Sequence, residues 1–415
     1  VGAEENIEEE PEKVIEEADE IEEELQLDEQ TEKEPENDPE ETETLEKASA
    51  SQSFVSDEEA TLANVILFVD FSKNEKSHSF DKIEKIFDGS DEYKKALKPY
   101  IEGISYGKER IQNVFPQYDS ENDAIVPYVL SEDELYYADH QEELVADAEN
   151  ALYDEGWTAD QLDFNKDGRI DNLMIVVAGE GNWSDADLVS GTDGYSIISE
   201  QAIEDEQAGT IAHAFLLGQG YPELRDENTN NSWDIMEYIG SETPAPLVWL
   251  RQSISGWTSL KTITDSQAHV TLYADKADEQ AVILKKSDSD TDFLVAEYRE
   301  KKNSQENGYD NEISESGLII YKVSTAEGNA ETAIIWSDGS DSGITIENVQ
   351  NEENGAITFD VNYIKPKEGL LYDSETGSWY LYKQGKVDTT YTGLAQNENG
   401  WWYVKNGKLD WNFTG

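Results

Sequence analysis

Ala63-Asn-Val-Ile-Leu-Phe-Val-Asp-Phe71 is a continuous apolar run with β-branched residues, the pattern of a strand buried on both faces. Leu173-Met-Ile-Val-Val-Ala178 repeats it about a hundred residues on. Between them, helical spacing covers residues 80–112, ending in Ile104-Ser-Tyr-Gly-Lys108, and the Glu- and Ala-rich stretch 131–156. Buried strands alternating with helices predict an α/β domain of about 180 residues. Its boundaries are set at 59–243.

Outward from that domain the pattern changes on both sides. Residues 1–50 hold 23 Asp and Glu against 3 Lys and no aromatic residue. A segment that repels itself and has little to bury is expected to stay disordered. Residues 1–58 are therefore read as an acidic tail, a spacer or pro-segment, within which Val14, Ala18, Ile21 and Leu25 keep helical spacing. Downstream, Val270–Tyr273, Ala281–Leu284, Phe293–Tyr298, Gly317–Val323 and Ala356–Val361 are short strands. Turn-forming clusters such as Ser287-Asp-Ser-Asp290 and Asn351-Glu-Glu-Asn-Gly355 separate them. Strands in succession without helices predict a β-sandwich over 244–364.

The last segment, 365–415, is repetitive. Trp379-Tyr, Gly385-Lys-Val-Asp388 and Tyr391-Thr-Gly393 recur as Trp401-Trp, Gly407-Lys-Leu-Asp410 and Phe413-Thr-Gly415, offset by 22 residues. Such a period marks β-hairpin units that stack on one another. Four of the ten Trp lie here, so aromatic rings dominate whatever these units bury or bind.

Composition excludes several partners. The net charge of −63 argues against nucleic acid, whose phosphates are bound by Lys and Arg. No run of about 18 apolar residues predicts a membrane span. The absence of Cys removes disulfides and thiolate metal sites. The start shows neither an initiator Met nor a signal-peptide core, as expected of a processed chain or one cut from a longer protein. An acidic, Cys-free chain suits a secreted bacterial surface protein.

His213-Ala-Phe-Leu-Leu-Gly-Gln-Gly-Tyr-Pro-Glu223 resembles the HExxHxxGxxD helix of immune inhibitor A-type metallopeptidases, secreted bacterial zinc enzymes. Other segments are similar to that family too: Tyr100-Ile-Glu-Gly-Ile-Ser-Tyr-Gly-Lys108, Asp167-Gly-Arg-Ile-Asp-Asn172, and Ser232-Trp-Asp-Ile-Met236 at the place of its Met-turn. Gly256-Trp257, Glu297-Tyr-Arg299 and Gly317-Leu-Ile-Ile-Tyr321 resemble the β-rich part that follows. Together they span roughly residues 60–330. The resemblance implies a metzincin-like domain with His213 and Glu223 as zinc ligands. It also implies a general base at 214 and a second His at 217, but these positions hold Ala214 and Leu217. Catalytic zinc takes three protein ligands plus water, and water activation needs the missing base. His213 could equally be an ordinary core His. The expectation is a peptidase-like scaffold without catalysis that presents a surface to a protein or peptide ligand. An active zinc endopeptidase with an atypical site is the alternative.

Two further stretches bear on binding. Asp163, Asn165, Asp167 and Asp171, with Gly168 between them and the carbonyl of Arg169, have the spacing of a calcium loop. The Glu that would close a full EF-hand is replaced by Met174. Calcium is the expected cofactor there, with a plain Asx-rich turn as the alternative. Asp226, Asn228 and Asp234 form a looser oxygen cluster that is assigned no metal. The repeats resemble the cell-wall-binding, choline-binding-type repeats of Gram-positive surface proteins. That resemblance implies a wall polymer as partner, with Trp379, Tyr380, Trp401, Trp402 and Tyr403 as candidates for a cage around a quaternary ammonium or for stacking on sugar. The same rings could instead form the thin spine of stacked hairpins.

Overall fold

In the computed structural model the strand predicted at 63–71 runs Leu62–Asp70 (β1) with all nine residues buried. Residues 59–71, 77–179, 189–191, 194–224, 233–238, 240–286, 291–325, 333–336, 343–364, 367–383 and 385–413 are described. The acidic tail, Asp226 and Asn228 lie outside them.

Around β1 the sheet gathers Ile111–Val114 (β2), Tyr128–Val129 (β3), Asn172–Val177 (β4), Val189–Gly191 (β5) and Tyr195–Ser199 (β6). Its order is β2-β1-β4-β6-β5, with β3 paired to the far end of β1. Pairing is parallel except at the edge, where β5 runs antiparallel to β6. Alternation along β1 explains its unbroken hydrophobicity. Ala63, Val65, Leu67 and Val69 face one core; Leu62, Ile66 and Phe68 face another. Helices cover both faces, as a mostly parallel sheet requires. The first core is closed by Tyr137 from Glu134–Asp139 (α3) and by Leu144, Ala148 and Leu152 from Gln141–Asp154 (α4). The second is closed by Phe80–Phe87 (α1), Leu97–Ile104 (α2), Glu200–Glu204 (α5) and Ala208–Gly218 (α6).

The helical reading of 80–112 breaks into α1, α2 and β2. After Ser105 the backbone turns left-handed at Tyr106 (φ 57°) and Gly107 (φ 74°). That conformation cannot continue a right-handed helix.

Downstream, two sheets stack. One holds Lys261–Ile263 (β7), Ala281–Leu284 (β9), Asp292–Arg299 (β10), Gly317–Ser324 (β11) and Ala333–Trp336 (β12), in that order. The other holds Gln267–Tyr273 (β8), Ala356–Tyr363 (β14) and Ile344–Asn351 (β13). Val282, Leu284, Leu294 and Ala296 meet Val270, Leu272, Ile357 and Phe359 between them, which is the predicted sandwich. Its five-stranded sheet is buried on the other side as well. Ala281, Ile283, Phe293, Val295, Tyr321 and Val323 join the same core as α2 and α6. The two regions thus share one core, with Val248–Ser253 (α7) wedged at the join.

A buried charge network holds that join. Arg299 pairs with Asp310 and with Glu297 (3.3 Å), and its Nη2 donates to the Ala245 carbonyl at 2.9 Å. Arg251 lies 3.7 Å from Glu297 and donates to the Ile104 carbonyl, the Tyr106 hydroxyl and Gln280. Glu297 in turn accepts from Val248 N at the start of α7 and from the Tyr321 hydroxyl. Two cations face two anions, all fully buried or nearly so, the condition under which buried charge is tolerated.

The last region is a six-stranded antiparallel sheet: Gly369–Asp373 (β15), Ser378–Lys383 (β16), Lys386–Val387 (β17), Gly393–Asn397 (β18), Gly400–Lys405 (β19) and Lys408–Leu409 (β20). The 22-residue repeat is visible as register. Tyr382↔Val387 and Lys383↔Lys386 recur as Val404↔Leu409 and Lys405↔Lys408. The second of these tight turns places Asn406 (φ 49°) and Gly407 (φ 75°) left-handed, as a two-residue hairpin turn demands.

Candidate functional site

Helix α6 carries the peptidase-like motif, and all eleven of its residues are buried. Such a helix is hydrophobic all round because it has no solvent face. It enters tightly: a side chain at Gly209 would meet the Glu242 carbonyl at 2.0 Å. It leaves through Gln219 and Gly220, the latter at φ +85°. A ladder of amides fixes that exit. Gln219 donates to Asn172, Asn172 to Asn64, and Asn64 to Asn113, running from the helix across β4, β1 and β2.

His213 is fully buried. Its Nδ1 lies 2.7 Å from the Ile235 carbonyl and 3.0 Å from the Tyr238 carbonyl. Carbonyls only accept, so Nδ1 carries a hydrogen. Nε2 then points at Glu223 Oε2 across 3.0 Å. The structure therefore brings together the two expected residual ligands, with the Glu223 side chain 39% exposed at the rim. The segment resembling a Met-turn lies against the same imidazole, since Ile235 and Tyr238 flank the buried Met236. Asp234 shapes that turn by accepting from Met236 N (2.7 Å) and Leu247 N (2.8 Å). Burial pushes its carboxyl up to about 6, against the pull of those two N–H groups and of Arg299. Of the loose oxygen cluster only Asp234 lies among the described residues, and its carboxylate is engaged inside the fold.

Ala214 (1% exposed) and Leu217 (8%) pack in the shared core beside Phe215, Leu216 and Met236. No third donor replaces them: among the described residues no group of three His, Asp or Glu side chains could hold a metal. His213 and Glu223 alone do not fit a catalytic zinc site, which needs three protein ligands.

The predicted calcium loop closes on itself. Asp163 accepts from Asp167 N and Gly168 N, Asn165 from Asp167 N, and Asp167 from Arg169 N. Lys166 and Gly168 take left-handed φ values of 62° and 91°. Asp171 is turned inward. It accepts from Ala63 N in β1 and from Phe164 and Asn165 N, and burial raises its carboxyl above the usual range. Asp171 thus fastens the loop to the sheet, and the exposed oxygens are those of Asn165 and Asp167, with Asp163 half-buried.

The five aromatic candidates of the repeats divide between two faces. Trp379 and Trp402 pack on a small core of Leu370, Ala395, Val404 and Leu409, and Trp402 Nε1 donates to Asn397 at 2.9 Å. Tyr380, Trp401 and Tyr403 alternate to the other side of their strands. Trp401 is 65% exposed, Tyr403 stacks on Phe413 with centroids 3.9 Å apart, and Lys408 sits 5.6 Å above the Tyr380 ring. Residues 390–410 match the choline-binding repeat. That match, covering β18, β19 and β20, suggests association with the cell wall and its choline-containing polymers. No curated protein and no solved structure matches the chain. No helix among the described residues is long and apolar enough to cross a membrane.

The sequence reading missed Arg251, Gln280 and Asp310, which complete the buried network. A lone Arg in an apolar stretch, Leu247-Val-Trp-Leu-Arg251, was the available signal. Its charge had to be either a surface residue or half of a buried pair.

Proposed function

We propose that this is a cell-surface protein whose repeats bind a choline-bearing wall polymer and whose peptidase-like domain is a non-catalytic scaffold. The observation that carries the first half is the repeat match over residues 390–410, joined to the exposed ring of Trp401 and the half-buried ring of Tyr403 stacked on Phe413. Such rings can stack on sugar or face a quaternary ammonium. The scaffold half is supported by the packing of α6. Ala214 and Leu217 fill the places of base and ligand with buried hydrocarbon, and His213 is engaged at both ring nitrogens. What remains for that domain is to present its surface to a protein or peptide ligand. The loop of Asp163, Asn165, Asp167 and the Arg169 carbonyl is proposed as a structural calcium site. Its donors are all oxygen, as that hard cation prefers.

Sedimentation with purified cell walls tests the anchor: the protein should pellet with choline-bearing walls and be released by free choline. Failure to pellet, or release by salt alone, rejects it. Metal analysis with a casein assay tests the scaffold. The expectation is no stoichiometric zinc and no cleavage. One tightly bound zinc with chelator-sensitive proteolysis would establish the active endopeptidase instead, built on the retained pair of His213 and Glu223.

A further inference from the structure

The helices on the two faces of the parallel sheet differ in charge. Residues 80–110, which carry α1 and α2, hold seven Lys or Arg and seven Asp or Glu. Residues 111–165, which carry α3 and α4, hold fifteen Asp or Glu and no Lys or Arg. A face of one sign sets up a field that draws in a partner of the other. On that face opens a groove with a cavity volume of about 660 Å³. One wall is α4, whose Glu142, Val145, Ala146, Glu149 and Tyr153 recur at the spacing of a single helix face. The other wall is the loop 168–170, with Leu173 and Tyr195 near the starts of β4 and β6. The floor is apolar, because Leu173 belongs to the first core and Val145, Ile170 and Tyr195 pack against it. Arg169 is the one cation in the lining, so the attracting wall is the helix.

We propose that this groove binds an extended cationic segment of a partner protein, with two Lys or Arg three residues apart and an apolar residue between them. The proposal rests on the reading of this domain as a surface for a protein or peptide ligand, and it names the surface. That surface lies on the sheet face opposite α6, away from His213. An apolar floor beneath carboxylates suits Lys and Arg, whose aliphatic stems lie along hydrocarbon while the charged head meets an anion. The spacing follows from helix geometry. Glu142 and Glu149 are seven residues apart, about 10 Å along the helix, and three residues of extended chain also cover about 10 Å. Exposed ion pairs are individually weak. The two carboxylates therefore select and orient the segment, while the floor holds the residue between.

Fluorescence anisotropy of a dye-labelled, end-blocked Lys-Leu-Ala-Lys peptide, titrated with the full chain at low and at about 0.5 M salt, reads this directly. The expected result is saturable binding that salt weakens several-fold and that a Gln-Leu-Ala-Gln peptide does not show. Glu142→Gln with Glu149→Gln should weaken it at least tenfold. Ala146→Trp, at an exposed position of α4, fills the groove without changing charge and should do the same. Glu132→Gln with Asp154→Asn removes equal charge from the same face outside the lining and should change it less than about twofold. Melting temperatures taken in parallel separate lost binding from lost fold; if Ala146→Trp melts lower, the two double variants decide. Absence of saturable binding overturns the proposal. So does binding that survives Ala146→Trp, or equal losses in the two double variants, since the peptide is then held only by the diffuse charge of the chain. Zinc-dependent cleavage of casein would end the scaffold reading alone, and binding that passes these variants would still stand.

Discussion

Helix α6 and the hairpin β18–β19 are both apolar, yet one is closed and the other open. Every side chain of α6 is covered, down to the imidazole of His213. In β19 the same kinds of contact-making residue are presented outward, with Trp401 more exposed than buried. The closed element sits where two regions share one core and a buried charge network. The open one sits at the edge of a thin sheet whose core cluster, among the described residues, is Leu370, Ala395, Val404 and Leu409. Where the fold has core on every side, the positions that the motif would give to base and ligand are packed with hydrocarbon. Where it has little, aromatic rings stay available for binding.

The largest expected effect tests the closed side. Glu297→Ala leaves Arg251 and Arg299 short of a buried partner and should cost about 3–5 kcal/mol, read by urea unfolding. A loss below about 1 kcal/mol would mean that the network is relaxed by water and the join is looser than described. Next, Ala214→Glu with Leu217→His supplies the base and ligand that the resemblance implies, at the expense of buried hydrocarbon. Without zinc the double variant should lose on the order of 2–5 kcal/mol. Added zinc should recover part of that loss and bind stoichiometrically, because His213 and Glu223 already lie together. No zinc binding would show that the frame around the site has changed along with its ligands.

Asp234 supplies the pH dependence. Its folded value is raised to about 6, above the ordinary carboxylate value near 4, so the folded state holds its proton more tightly than the unfolded one. The associated stability is fully present below about pH 4 and is lost as pH rises through about 6. Two units correspond to roughly 3 kcal/mol at most. In Asp234→Asn the difference from wild type should therefore change over that window and be flat above it. A pH-independent difference would place the carboxyl in contact with water.

The open side gives smaller effects. Trp379→Ala should lower stability by about 1–2 kcal/mol, since the ring packs on the repeat core. Trp401→Ala should cost less than about 0.5 kcal/mol while reducing wall binding. Equal costs would erase the distinction between the two faces. Smallest is calcium. It should raise the melting temperature by a few degrees in wild type and not in Asp167→Ala; no rise in wild type rules the site out.

Much of this was legible in the residues. The strands at 62–70, 172–177, 281–284, 292–299 and 317–324 lie within a residue of their predicted ends at almost every boundary, because continuous apolar runs bounded by polar sequence admit little else. The resemblance named His213 and Glu223 as residual zinc-site positions; that they hydrogen-bond to each other at 3.0 Å is seen only in the structure. Strands β5, β6 and β13 were not foreseen. Ile344–Asn351 shows why: its last five residues are exposed, four of them polar, and it is a strand only because Ala356–Tyr363 pairs with it. Nor did the spacing of Asp171 reveal that it would be buried and tie its loop to Ala63 N of β1.

Amino-acid order alone determined the periodic parts: where strands run, where the 22-residue unit repeats, and that positions 214 and 217 carry no catalytic group. These follow from side-chain chemistry and local spacing, which need no partner. Only the tertiary structure decided that Arg251, Glu297, Arg299 and Asp310 neutralise one another in the core. It also decided that Ala214 and Leu217 are packed rather than facing a cleft, and which aromatic rings of the repeats are buried and which exposed. Burial and charge pairing are properties of segments far apart in the chain, and no local pattern encodes which of them meet.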